Sequence, residues 1–293
     1  MTAENPDTTP PARRSTMRRG RRAAAVLAAT VAVSSIVAPA ASAKTDAAGT
    51  LDVVSRVITQ ELGTQRGFSD TMFDVPSYLW MLTHPQGSGT KNLPRPNQKT
   101  MCKTVVQIGD STSVGLDNSL RVPSPSDRMT AQYRRVGAEN VYLDAINGRS
   151  VTERVGGQQS GLEAIGTELA HGRDGCWIIA LGANDAALIA QGNPINADRR
   201  IDRVMQRLAG RPVLWPTVRT AGPDVPDYAN SHMKAFNAAL RRAAQRYPNL
   251  RVYDFAKHTD PSWYVDGVHY TSAAMIQRNR LFASALATSF PRR

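Results

Sequence analysis

Two cysteines in 293 residues, Cys102 and Cys176, leave little material for a metal cluster. Neither lies at ligand spacing from another cysteine or a histidine, so no metal site is expected. A phosphate-cradling loop is missing too. Gly156-Gly157 is the nearest thing to one, and it does not follow a strand as such a loop requires. The sequence therefore predicts no cofactor. Past residue 43 no run of Lys and Arg is interleaved with aromatics, which argues against a nucleic-acid partner. Nothing past that point is long and apolar enough to span a membrane. No internal repeat is visible.

Positive charge is plentiful. The formal net charge is +12. Residues 1–43 hold six Arg against Glu4 and Asp7, leaving 30 Lys and Arg against 22 Asp and Glu in the remainder. The charge is scattered, which fits a solvated surface or an attraction to anionic polymers and lipids. The first 43 residues read as a targeting segment. Arg18 to Arg22 form a basic region, residues 23–38 an apolar one, and Pro39 breaks it before Ala41-Ser42-Ala43. That small-residue triplet predicts a signal peptide cleaved after Ala43; retention as an uncleaved anchor is the alternative. Met17 precedes the basic cluster and is a second possible start. With no cysteine close behind, a lipoprotein anchor is not expected. The expected location is outside the cell or in the cell envelope.

Residues 44–100 read as an N-terminal extension and linker. A helical face runs through Leu51, Val54, Val57, Ile58 and Leu62. An aromatic stretch at 68–82 either packs on the core or covers a substrate site, and 85–99 turns to Pro, Gly, Asn and Lys. From Cys102 onward strands and helices alternate. Strands are expected at 104–108, 140–145, 177–181, 212–215 and 250–255. Helices are expected at 112–120, at 126–136 with Gly137 as its stop, and from Ser160, whose Ser160-x-x-Glu163 has the form of a capping box. Further helices carry Ile201, Met205 and Leu208, then Met233 to Tyr247, and finally 271–288. Five short apolar strands between amphipathic helices imply a parallel sheet covered on both faces, a three-layer α/β/α arrangement of the flavodoxin-like kind over residues 101–293. Right-handed crossovers put all strand C-terminal ends at one edge. Each cysteine opens an apolar run, so neighbouring parallel strands would join Cys102 to Cys176 at the opposite edge; two free buried thiols are the alternative.

Four short stretches follow strand ends and so point at one edge: Gly109-Asp110-Ser111, Gly148, Gly182-Ala183-Asn184-Asp185 and Asp266-Gly267-Val268-His269. In this order they resemble the blocks of the SGNH, or GDSL-type, hydrolase family, over about residues 102–290. Thr112 departs from the leucine in the family's common name. Gly148 is the least distinctive match, with Gly156 and Gly157 nearby. Read singly, each block has a plainer use: Ser111, Asn184 and Asp185 as helix caps, Asp266-Gly267 as a turn, His269 as a structural histidine. Together they describe acyl transfer. A serine hydroxyl needs a base, here His269, and Asp266 can hold the other ring nitrogen. A developing oxyanion needs donors, here the backbone N–H of Ser111 and Gly148 and the Asn184 amide. Asp110 is expected to brace its turn, and a helix start behind Ser111 to add a favourable dipole. His171, His232 and His258 have no comparable setting.

The resemblance implies a serine esterase acting on small acyl, acetylated-glycan or lipid esters, and the leader adds export. With export and positive charge, an O-acetyl or lipid ester of a cell-envelope glycan or lipid is the expected substrate. The same residues could serve an O-acyltransferase that passes the acyl group to a sugar hydroxyl. A silent envelope-binding protein that keeps the fold is the third reading. A monomer is expected, with specificity carried by the loops 186–199, 217–229 and 256–265. Trp263 and Tyr264 read equally as pocket walls or as packing.

Overall fold

The computed structural model describes residues 97–222 and 226–292. The expected signal peptide and all but the last residues of the extension, the 68–82 stretch included, lie outside them. Five strands form one parallel sheet: β1 (Thr104–Gly109), β2 (Asn140–Ala145), β3 (Cys176–Ala180), β4 (Val213–Pro216) and β5 (Leu250–Tyr253). Their order is β2-β1-β3-β4-β5. The helices are α1 (Met129–Arg135), α2 (Gly161–Ala170), α3 (Ala183–Ala190), α4 (Ala197–Arg207), α5 (Asn230–Arg246) and α6 (Ser272–Ser289). The expected three-layer α/β/α fold is the fold observed.

Alternation along the strands divides the core. Val105, Ile178 and Leu214 face α1 and α6, while Val106, Ile108, Trp177, Ile179, Val213 and Trp215 face α2 to α5. Period-two exposure of side chains makes this inevitable once both faces are covered. Full burial of one such side chain contributes about 1.5–3 kcal/mol. Helix α2 starts where expected: Ser160 Oγ accepts from the Glu163 N–H at 3.3 Å, and the Glu163 carboxylate accepts from the Ser160 N–H at 2.9 Å. Cys102 and Cys176 are joined in a disulfide. Register explains the pairing, since Cys176 lies opposite Val105 on β1, at the strand ends remote from Ser111.

Two helix expectations need correction. No helix spans 112–120. A single 3-10 turn, Ser111–Ser113, is closed by Val114 in an extended conformation and followed by Gly115 at φ +81°. The side chain of Asp110 captures the Thr112 N–H at 2.9 Å, favouring a tight turn over a longer helix. The stretch 186–199, expected as a loop, instead holds most of α3 and the start of α4. The apolar Ala-Leu-Ile run of α3 lies too close behind the strand to be told from a strand extension by pattern alone. Among the described residues no helix is long and apolar enough to cross a membrane.

Candidate active site

The turn carrying Ser111 is built by its neighbours. At Gly109 a Cβ would fall 2.3 Å from the Ser113 Cβ, so only glycine lets the chain fold back this tightly. Asp110 is buried, and its Oδ1 accepts from both the N–H (2.9 Å) and the hydroxyl (2.6 Å) of Thr112. Burial raises its carboxyl above the usual range against the pull of those bonds and of Arg278. This is the bracing role expected of it. The helix dipole expected behind Ser111 is absent, because one 3-10 turn aligns too few peptide units.

The Asp266–His269 segment must travel from edge strand β5 back across the sheet to β1. The loop after β4 supports it: the Ala221 N–H donates to Gly267 O at 2.8 Å, and Tyr264 Oη to Arg219 O at 2.8 Å. Trp263 and Tyr264 are buried packing residues of this strap, against Phe255 and Tyr270 respectively. Asp266 Oδ1 accepts from the N–H groups of Val268 (2.9 Å) and His269 (2.7 Å), while Oδ2 lies 2.6 Å from His269 Nδ1. His269 Nε2 lies 2.9 Å from Ser111 Oγ. Burial opposes ionisation of Asp266, but the bonds and charge of His269 outweigh it and hold the carboxyl at about 2. An ionised carboxylate only accepts, so the proton between the two sits on Nδ1. In the neutral ring Nε2 is then free to accept from the serine hydroxyl, the polarity needed to draw off its proton.

Gly148 and Asn184 follow β2 and β3, the two strands flanking β1, so sheet order brings both beside Ser111. Gly148 adopts φ +71°, a conformation that suits glycine. Asn184 lies in the first turn of α3, and its side chain is held at both ends. Nδ2 donates to Arg149 O at 3.0 Å, and Oδ1 accepts from Tyr228 Oη at 2.7 Å. An amide nitrogen carries two N–H groups, so one remains available.

Sequence reasoning missed Tyr228, Arg149 and Arg278. Tyr228 lies within 217–229, where only its place in a loop after a strand marked it. Buried Arg149 reaches back to β2, donating to Asp144 O at 2.8 Å and to Asp144 Oδ1 at 2.9 Å. Buried Arg278 of α6 donates to Ser113 Oγ at 2.8 Å. With Asp110 and Thr112 it lines a cavity of about 30 Å³ beside the turn. Among the described residues no cluster of metal-ligating side chains occurs.

Comparison with known proteins establishes the fold and the family. A carbohydrate acetylesterase family member from Sinorhizobium meliloti has a similar structure, with a TM-score of 0.51 at 15% identity, covering 64% of this chain and 98% of that one. The aryl esterase of M. smegmatis aligns with a TM-score of 0.50 at 20% identity, covering 64% of this chain and 97% of its own. At such identities the likeness shows the fold alone. Among curated proteins, none matches the sequence. The sequence pattern of the GDSL-like lipase/acylhydrolase family, however, matches residues 108–275, from the end of β1 into α6. That span takes in all four blocks, from Gly109 to His269, and the chain therefore belongs to the GDSL-like lipase/acylhydrolase family and is an ester hydrolase.

Proposed function

We propose that the protein is exported and removes an acyl group, O-acetyl or lipid, from an ester of a cell-envelope glycan or lipid, through an acyl-enzyme on Ser111. The observation that carries the reading is the chain of contacts from Asp266 Oδ2 to His269 Nδ1 (2.6 Å) and from His269 Nε2 to Ser111 Oγ (2.9 Å). Ser111 Oγ attacks the carbonyl carbon as its proton passes to His269 Nε2. The ester C–O bond then breaks, and His269 returns the proton to the departing alcohol. Water repeats the sequence and releases the acid. Asp266 stabilises the imidazolium in both steps. The N–H groups of Ser111 and Gly148 and the free N–H of Asn184 receive the oxyanion.

Export rests on the basic and apolar leader ending at Ala43, and the Cys102–Cys176 bond suits an oxidising compartment. The S. meliloti structure is named as a carbohydrate acetylesterase family member, and an acetylated glycan is proposed here by analogy with that name. The test is hydrolysis of an ester panel, from acetyl to long acyl on glycan and lipid alcohols, by wild type and Ser111→Ala. The variant is expected to lose activity about a thousandfold or more; equal rates would remove Ser111 from the mechanism. Adding a sugar acceptor and analysing products separates transfer to water from transfer to a hydroxyl.

A further inference from the structure

Two of the proposed oxyanion donors belong to different elements: Gly148 to the loop after β2, Asn184 to α3 after β3. Their separation must be held to a fraction of an ångström, yet no backbone ladder joins that loop to that helix. The Asn184 amide meets Arg149 O directly, and a buried guanidinium braces the two segments further. Arg200 of α4 is fully buried. Its Nη1 donates to Asp185 Oδ1 at 2.9 Å, and Asp185 is the residue next to Asn184. The same Asp185 oxygen accepts the Val151 N–H at 2.9 Å. Arg200 also grips Glu153 with both Nη atoms, Nη2 to Oε1 at 2.7 Å, and its Nε donates to Ile195 O at 2.8 Å. Glu153 in turn accepts from Ser150 Oγ at 2.7 Å. Residues 150–153, just past Gly148, and the first turn of α3 are thus pinned to one planar fork.

We propose that Arg200 is a positioning residue that sets the spacing between the Gly148 and Asn184 donors, acting through Asp185 and Glu153 without touching substrate. The inference rests on the proposed oxyanion roles of those two residues. A guanidinium suits the task because its donors lie in a fixed plane and can meet three acceptors in fixed directions, which a lysine ammonium on a flexible stem cannot. A bond made only for stability would not need to join these two segments in particular. Asp144 and Arg149 tie the loop to β2, and the Asn184 amide on Arg149 O and the Val151 N–H on Asp185 tie it to α3; Arg200 adds the fork that fixes the direction and spacing of that second tie.

The test compares wild type, Arg200→Lys and Glu153→Gln with p-nitrophenyl acetate. It also measures the inhibition constant of an arylboronate, which forms a tetrahedral adduct on the serine, and the melting temperature. Glu153→Gln keeps an acceptor at a partly exposed position, so it decides the matter should Arg200→Lys not fold. The expected result is a fall in kcat of about tenfold to a hundredfold with KM within about twofold, matched by an equal weakening of boronate binding. Unchanged kcat and boronate affinity in folded variants would overturn the proposal. So would a loss of activity that only follows the loss of folded protein. Failure of the underlying reading looks different: the wild type itself would not hydrolyse the ester or bind the boronate.

Discussion

Asn184 is the residue whose surroundings say most about its use. A side chain needed only as a helix cap would turn to its own backbone; this one spans Arg149 O and Tyr228 Oη instead. Asn184→Ala is expected to lower kcat by about 10²–10³ with little change in KM, since it removes the donor proposed to act in the transition state. Tyr228→Phe removes only the hydroxyl that orients the amide. Its expected loss is smaller, about tenfold in kcat, corresponding to one net hydrogen bond of about 1.5 kcal/mol. Steady-state kinetics on one short-chain ester checks both, and a Tyr228→Phe enzyme with wild-type kcat would remove the tyrosine from the site. Gly109→Ala should be as damaging as the loss of a site residue, because the added methyl meets Ser113 at 2.3 Å and must push the turn off β1. A circular-dichroism spectrum beside the assay would separate a displaced turn from an unfolded chain.

Between elements, the contact of α4 with α3 and the 150–153 loop has a definite pH signature. Asp185 is fully buried, and burial pushes its carboxyl up to about 6 against the pull of Arg200. A raised acid favours the folded state when protonated. Its contribution is complete below the ordinary value of 3.8 and is lost as pH rises through about 6. Glu153 runs the other way: burial would raise it, but bonds from Arg200, Ser150 and Thr152 outweigh burial and hold it at about 2. Its contribution is present above 4.5 and fades as pH falls toward 2. The stability of wild type relative to Asp185→Asn should therefore shrink between about pH 4 and pH 6. Thermal melts of both proteins across that range check it, and a constant difference would contradict the assignment. Element existence was legible in the sequence wherever periodicity and an end signal coincided, as at Ser160-x-x-Glu163. It was not legible at 112–120, where the side chain of Asp110 competes for the backbone, nor at α3, an eight-residue helix whose polar residues sit only in its first turn.

At the scale of the molecule, the disulfide and the site occupy opposite ends of the strands. The bond closes a sequence separation of 74 residues, for which chain entropy predicts about 4 kcal/mol of stabilisation. Urea unfolding of the oxidised protein and of a Cys102→Ser/Cys176→Ser variant measures it. The variant is expected to unfold at lower urea yet to keep ester hydrolysis near the wild-type rate under native conditions. Activity lost while the protein stays folded would mean that the two ends of the sheet are coupled. The same sheet explains how residues from positions 109 to 269 reach one place. Strand order β2-β1-β3 sets Gly148, Ser111 and Asn184 side by side, and the strap after β5 brings His269 back over them.

By itself the sequence determined the parallel sheet, its two covered faces, the cysteine pair and the four blocks at one edge. Those features are written in short-range signals: runs of apolar residues, helical spacing, turn residues and motifs of three or four letters. Only the tertiary structure decided that Ser111 sits on a lone 3-10 turn, that Trp263 and Tyr264 pack instead of lining a pocket, and that Tyr228, Arg149, Arg200 and Arg278 surround the site. Arginines such as Arg200 and Arg278 look, in a helical pattern, like any solvated charge. What they do depends on acceptors brought close by other elements, and no local period in the chain records which carboxylate or hydroxyl will be waiting inside.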